Sequence, residues 1–534
     1  MSIGQRRSLL LPIIAYARAG ALDHAWRLFQ QAGLDRQDDD PRALSLKGRL
    51  LKDFALRSAG EERLRFYREA AAAYQRAAEI GQASYPLINA ATLSMLAGNE
   101  SKAGMLATLA IDRIKANPDE PETPYYHAAT IAEALLLLRR EPEARATLRD
   151  AIALAPRAWE DHASTLRQFA LILGTQQASS EWLDALRPPR SLHFSGHMSF
   201  SAEATDDALL AQIAGMIAEE NIGFGFGALA AGADIIIAEA LLEAGAELHA
   251  ILPGGVEAFA ARSVDPFGSA WRKRFDVVLE RAEMTRPVRP LDSLPDEAVI
   301  DTAAIIAMGL AIRHAQGLES EAIQCLVVDP DQPHTALGAS TTRAAEAWNR
   351  AGMRQRLITA SRQNILVDHH HAEPEEKAQR AFAMLAIGSR EATGDSLPSE
   401  SELASLHEAV ADLHPAMPPF WSGKYLILTF QHPQDAMDAG AKLSREGWAV
   451  GGDFCVGLPI FDPFTGKQRL PAHSIAACCG ACASSMDGGF QATEDLAATL
   501  ILQSPGNCIA ELVGEFAPAN GEFPIPLFSL RPHL

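Results

Sequence analysis

The stretch Ile222 to Pro253, IGFGFGALAAGADIIIAEALLEAGAELHAILP, leaves this chain the fewest folding options. It reads as a β-strand, a glycine-rich turn, a helix and a second strand. The apolar run after Asp234 passes into the helical spacing of Ile237, Leu241 and Leu242, Gly245 stops it, and Glu247–Leu252 is a short strand closed by Pro253. A glycine turn feeding a helix N-terminus leaves N–H groups uncovered, and the helix dipole favours an anion there. This is where the sequence places a nucleotide-like ligand.

Strands and helices alternate around it. SLHFSGHM (191–198), AIQCLVVD (322–329) and RQRLI (354–358) are strands; Ala204–Glu220, Trp271–Ala282, Asp296–Gln316 and Thr341–Ala351 are helices. Such alternation implies a mostly parallel sheet covered on both faces, with ligands beyond the carboxyl ends of its strands. Three loops fall there. They hold Ser195, Gly196 and His197; then Gly225, Gly227, Gly232 and Asp234; then Asp329 through Gly338, Ser340 and Thr341. GFGALA satisfies GxGxx(G/A), but Leu252-Pro253 stands where the dinucleotide version wants an acid, which disfavours NAD. Glu239 is a candidate to orient a ribose and His197 to contact phosphate or base, whereas Trp271 reads as core.

At 534 residues the chain exceeds one core. The break LRPPR (186–190) ends a first, wholly helical part, 1–187. There an Ala, apolar, Ala register recurs at Ala25/Phe29/Ala32, Ala70/Tyr74/Ala77, Ala103/Ala107/Ala110 and Ala144/Leu148/Ala151. These offsets share one helix face, and small residues let a neighbouring helix approach. Gly20 and Gly98 each fall five residues before a unit, and Pro156 ends the last. The pattern resembles the tetratricopeptide repeat, which stacks into a solenoid and implies a protein partner on its concave face; a generic α-bundle is the alternative.

Residues 1–190 carry 25 Lys+Arg against 23 Asp+Glu, so nearly all of the net charge of −20 lies after residue 190. Such a surface argues against general nucleic-acid or membrane binding. No apolar run reads as a span, and the N-terminus reads as a first helix instead of a signal peptide. Six cysteines, four of them between Cys455 and Cys482, do not make a disulfide framework, so a reducing cytoplasm is expected.

The segments SGHM, GALAAGADIIIAEALLEAGAELHAILP and SVDPFGSAWRKRF (263–275) resemble the SLOG superfamily, especially the form beside tetratricopeptide-like helices in bacterial signalling proteins related to the TRAFs-binding region. The resemblance implies a Rossmann-like domain over 191–365 that senses a nucleotide-derived ligand or cleaves an N-glycosidic bond. Pro253-Gly254-Gly255 starts like the hydrolase loop PGGxGTxxE, and Val256-Glu257-Ala258 does not complete it, which favours binding. A glycosidase using Glu239 or Glu257 is the enzymatic alternative.

A linker, 366–379, contains three consecutive histidines and reads as solvated. Beyond it, WSGKYLILTFQHPQDAMDAGAKLSREG, FDPFTGKQRLPAHSIAACCGACA and the chain's end resemble class III nucleotide cyclase domains over 380–534. The resemblance implies an α+β (ferredoxin-like) domain that dimerises, hence a homo-oligomer or pairing with a cyclase-like domain. It also puts Ile475 at the family's Asn position and Cys479 at its Arg position; FAMLAIGS (382–389) lacks the first metal aspartate, and Ser422-Gly423 stand for the second. The expectation is a multidomain signalling protein with no catalytic residue or metal site assigned and no cofactor implied beyond the nucleotide-derived ligand. A cyclase completed by a partner and a purely structural adaptor stay open.

Overall fold

A computed structural model describes residues 10–532, except 15, 18–21, 199, 202–206, 289–293, 330–338, 364–378, 390–397, 486–488 and 518–523. The chain divides into two compact units, Met1–Pro188 with Gly317–Glu319, and Pro189–Gln316 with Ser320–Leu534.

The first unit is helical: α1 (Leu22–Gln31), α2 (Pro41–Arg57), α3 (Gly60–Gly81), α4 (Ser84–Leu96), α5 (Glu100–Ala116), α6 (Pro124–Leu137), α7 (Glu141–Leu154) and α8 (Trp159–Thr175). Each of α2 to α7 packs on its neighbour in sequence, while α4, α6 and α8 also touch one another and form a layer. All twelve residues of the recurring register are buried, eight of the nine alanines completely. Gly98 turns α4 into α5 with φ +83°, a region that favours glycine; Gly20 lies outside the described residues.

The second unit holds two large sheets and a separate two-stranded hairpin. The first is all-parallel: β1 (Arg190–Gly196), α9 (Asp207–Glu219), β2 (Ile222–Gly227), α10 (Ala233–Glu243), β3 (Glu247–Leu252), α11 (Val256–Ser263), α12 (Ser269–Arg281), β4 (Met284–Pro287), α13 (Glu297–Gly317), β5 (Ala322–Val328), α14 (Ala339–Arg350) and β6 (Arg354–Thr359). Strand order is β4-β3-β2-β1-β5-β6. The chain leaves β1 towards β2 on one side, and β5 pairs on its other side, so the direction of winding reverses between β1 and β5. That is where a parallel sheet opens a crevice. Every residue of β5 is buried, which explains its unbroken apolar run. Helix α11 and edge strand β4 were not expected from sequence. Each is short, and β4 (MTRP) carries no alternating pattern.

Helix α13 stands where a helix was expected and is long and apolar enough to cross a membrane by length and composition. Its apolar residues are spent on core contacts of this unit, among them Val299, Ile306, Met308, Leu310 and Ile312.

The other sheet is mixed, in the order β14-β15-β13-β10-β7-β9-β8, with only β10 and β13 parallel. Its elements are β7 (Arg380–Gly388), α15 (Glu400–Val410), β8 (Phe420–Ser422), β9 (Tyr425–Phe430), α16 (Pro433–Arg445), β10 (Ala449–Gly457), β11 (Ile460–Asp462), β12 (Lys467–Arg469), α17 (Ala472–Ser484), β13 (Phe490–Thr493), α18 (Glu494–Gln503), β14 (Cys508–Phe516) and β15 (Ile525–Pro532). Gly451 of β10 faces α17 and Gly452 faces α18, so the helices cover opposite faces. DPFTG is the tip of a hairpin formed by β11 and β12. Ser399 caps α15 with Glu402 in a capping box.

The two sheets meet through α13 and α18. Arg286 of β4 and Arg313 of α13 both pair with Glu494, and Arg286 also pairs with Asp495. Beside them Met308 and Ile312 of α13 pack with Ile501 and Leu502 of α18.

Candidate functional site

A cavity of about 470 Å³ opens at the carboxyl end of the parallel sheet. Its lining comes from the end of β1 (Phe194, Ser195, Gly196, His197), the β2–α10 loop (Ala228, Ala230), Asp234, and Ile251 and Pro253 after β3. Phe259 and Arg262 of α11, Glu297, Ile300, Ala303 and Ala307 of α13, Thr341 and Arg343 of α14, and Arg362 also line it. The volume suits one small molecule.

The glycine loop differs in detail from the expected anion cradle. Asp234, near the start of α10, turns its carboxylate back into the loop. The Gly196 N–H donates to Oδ1 at 3.1 Å and the Ala230 N–H to Oδ2 at 3.3 Å. Neighbouring amides are also taken: Ala231 N–H donates to the Ser263 carbonyl at 2.9 Å and Ala233 N–H to the His197 carbonyl at 3.2 Å. Gly232, at φ +93°, permits this turn, since a Cβ there would come within 2.8 Å of the Met198 backbone. Burial pushes the Asp234 carboxyl up to about 8, against the two N–H donors that favour its charged form. The position predicted to receive a ligand anion is filled by the protein's own carboxylate.

His197 is buried and stacks on Phe200 at 4.4 Å. Its Nε2 lies 2.9 Å from the Ala360 carbonyl oxygen, which can only accept, so Nε2 carries the proton and Nδ1 is a bare acceptor. Among the described residues no donor meets that buried Nδ1. Burial lowers the pKa of the ring and keeps it neutral. Three guanidinium groups also line the cavity. Arg343 pairs with Asp301 at 2.7 Å, Arg362 stands 3.9 Å from Asp329, and Arg262 pairs with no carboxylate among the described residues.

The structure thus brings Gly196, His197, Asp234 and Thr341 to one cavity, with Gly232 shaping the loop behind them. Other expected site residues belong elsewhere. Gly225 and Gly227 lie inside β2, where a Cβ would strike Leu241 at 2.5 Å and Phe194 at 2.8 Å; they are required by packing and do not line the cavity. Glu239 is held by Arg274 in two hydrogen bonds of 2.9 and 2.6 Å, and Arg274 covers the ring of the buried Trp271. Glu257 is likewise held by Arg272 at 2.9 and 3.0 Å. Neither carboxylate lines the cavity. Gly338 lies outside the described residues, as does the Ser340 side chain; Ser340 itself is in the first turn of α14. Arg343 and Arg362 were missed because a single arginine on a helix or just after a strand looks like ordinary surface charge.

In the second sheet Ile475 is buried and Cys479 half-buried on α17. The thiols of Cys455, Cys478 and Cys482 donate to the carbonyls of Ser474, Gly451 and Ala449 at 3.2, 3.3 and 3.4 Å. Burial raises Cys478, pushes Cys479 up to about 11 and Cys482 to about 12, so these thiols stay protonated. These small side chains let α17 lie directly on β10 at Gly451, where a Cβ would come within 2.1 Å of the Cys482 nitrogen.

Residues 5–94 match the Tetratricopeptide Repeats-Sensor family. No curated protein sequence matches the chain. Among solved structures, the adenylyl cyclase CyaB from P. aeruginosa is similar at 11% identity and a TM-score of 0.24, over 29% of this chain and 98% of that one. The guanylyl cyclase Cya2 is similar at 13% identity and a TM-score of 0.23, over 29% and 93%. An O-GlcNAc transferase mutant from Thermobaculum terrenum is similar at 13% identity and a TM-score of 0.17, over 60% and 75%.

Proposed function

We propose that this is a regulatory protein whose parallel-sheet domain, SLOG-like and Rossmann-like, binds a nucleotide-derived ligand and whose cyclase-like domain relays the bound state without cyclase chemistry of its own. The observation that carries the reading is the cavity at the β1/β5 crevice, with its apolar walls and three arginines. Arginine suits phosphate by charge and fork geometry. A sensor role agrees with the repeat family matched over residues 5–94. In this reading the helical repeats carry a protein partner, the protein acts in the cytoplasm, and the cyclase-like domain pairs with its like. Ile475 and Cys479 offer neither the amide nor the guanidinium that the resemblance calls for.

A hydrolytic reading has one observation of its own, the Asp234 carboxyl, which burial keeps largely protonated near neutral pH and which could protonate a leaving group. One experiment separates the two. Purified protein is incubated with a nucleotide panel while thermal stability and product formation are followed together. A thermal shift without product, lost in Arg262→Ala, supports the sensor; product formation that Asp234→Asn abolishes replaces it with the enzyme. Silence in both channels leaves the structural adaptor. Gly227 is unsuitable for this test, because any side chain there disrupts β2.

A further inference from the structure

Resting on that ligand-binding reading, we propose that Asp234 is a resident occupant of the glycine-loop anion position, so that the ligand's anionic group is received by Arg262, with Arg343 and Arg362, while an uncharged hydrogen-bond-donating moiety faces Asp234 and His197.

Three observations carry this. First, both Asp234 oxygens take loop N–H groups, from Gly196 and Ala230, and the next amides, Ala231 and Ala233, are committed to carbonyls. A phosphate at the loop would have to displace the buried Asp234 carboxyl or sit against it. Second, Arg262 lines the same cavity and has no carboxylate partner among the described residues, so its charge is available to an incoming anion. Arg343 and Arg362 already have acidic neighbours and add charge without being its first contact. Third, His197 presents a bare, buried Nδ1 beside the loop, and an acceptor left without a donor in a folded protein is costly. A ligand N–H or O–H would relieve it once the ring turns that edge, which is closed to solvent, towards the cavity.

The ligand class is therefore anionic at one end and donor-bearing at the other, as a nucleoside monophosphate is. Inorganic phosphate, adenosine and adenosine 5′-monophosphate serve as probes by calorimetric titration of the full chain. Arg262 is half-buried on α11 and pairs with no carboxylate among the described residues, so Arg262→Ala is expected to fold. It should weaken monophosphate binding at least tenfold and leave adenosine binding within twofold, with Arg262→Lys intermediate. Adding Asp234→Ala to Arg262→Ala frees the loop amides and should restore phosphate-dependent binding; Asp234→Ser replaces it if the alanine variant does not fold. Monophosphate binding unchanged in Arg262→Ala overturns the proposal, and so does a double variant that folds but gains no phosphate binding. If neither nucleoside nor nucleotide binds the wild type, the nucleotide reading fails alone. The gain of inorganic phosphate in the double variant then still decides the role of Asp234.

Discussion

Gly309 of α13 lies so close to Ala498 of α18 that a Cβ at 309 would come within 2.0 Å of the Ala498 carbonyl oxygen. Two backbones touch here, and the helix that contributes Ile300, Ala303 and Ala307 to the cavity is the same helix that bears on the mixed sheet. Alanine is favoured over glycine inside a helix by about 1 kcal/mol. Overpacking a tight contact costs about 1–3 kcal/mol. Gly309→Ala should therefore lower the unfolding midpoint of the second unit despite its better helix propensity, read by scanning calorimetry. An unchanged or raised midpoint would show that the crossing relaxes easily.

The ion cluster between the sheets gives a second expectation. Glu494 is buried and takes Arg286 at 2.8 Å together with Arg313, whose guanidinium also covers Phe528 at 4.8 Å. Removing one partner from a buried cluster strands the others and costs about 3–5 kcal/mol, whereas an apolar replacement of the whole set can be neutral. Glu494→Ala should be strongly destabilising in denaturant titration. Arg313→Met combined with Glu494→Leu should recover part of the loss, and additive losses would contradict mutual dependence.

The buried ionisable groups pull the pH dependence in opposite directions. Burial pushes Asp453 up to about 7, although the Thr493 hydroxyl donates to it at 2.6 Å. The folded state thus holds a proton that the unfolded chain releases near 3.8. Its contribution is fully present below that value and is lost as pH rises towards about 7. His193 and His314 behave inversely. Burial lowers both to about 3, so their contribution is present above 6.5 and fades as pH falls towards 3. The stability difference between wild type and Asp453→Asn should accordingly fall between pH 4 and 7, and that between wild type and His193→Gln should rise over the same range. Flat difference curves in urea titrations would refute the assignments.

Much of this arrangement was legible in the chain because it is periodic. The alternation of strands and helices from 191 to 359 announces a parallel sheet, and the alanine register announces buried helix crossings. What was not legible is the use to which single polar residues are put. Asp234 sits where a phosphate loop would have it, and only in the folded loop does its carboxyl turn inwards to the amides of residues 196 and 230. Gly225 and Gly227 satisfy a nucleotide-loop pattern for an unrelated reason, the close approach of Leu241 and Phe194 to β2. Glu239 could not be distinguished from a ligand contact until Arg274, 35 positions along the chain, was seen to hold it.

The repeat register yields the last expectation. Ala107, at the middle of the third unit, is fully buried, while Leu109, two residues on, is 44% exposed on the same helix. Ala107→Leu should cost about 1–3 kcal/mol by overpacking. Leu109→Ala, which removes an exposed side chain, should change stability little. The two architectures left open by the sequence then predict different spreads of damage. In a stacked array each unit is stabilised chiefly by its neighbours, so Ala107→Leu should raise hydrogen exchange most in α4, α5 and α6, with a smaller change in α1. In a single cooperative bundle, protection would fall uniformly from α1 to α8. The α4–α6 and α6–α8 contacts fit the graded outcome, whereas the α4–α8 contact reaches past the neighbouring pair and should carry some of the damage into α8.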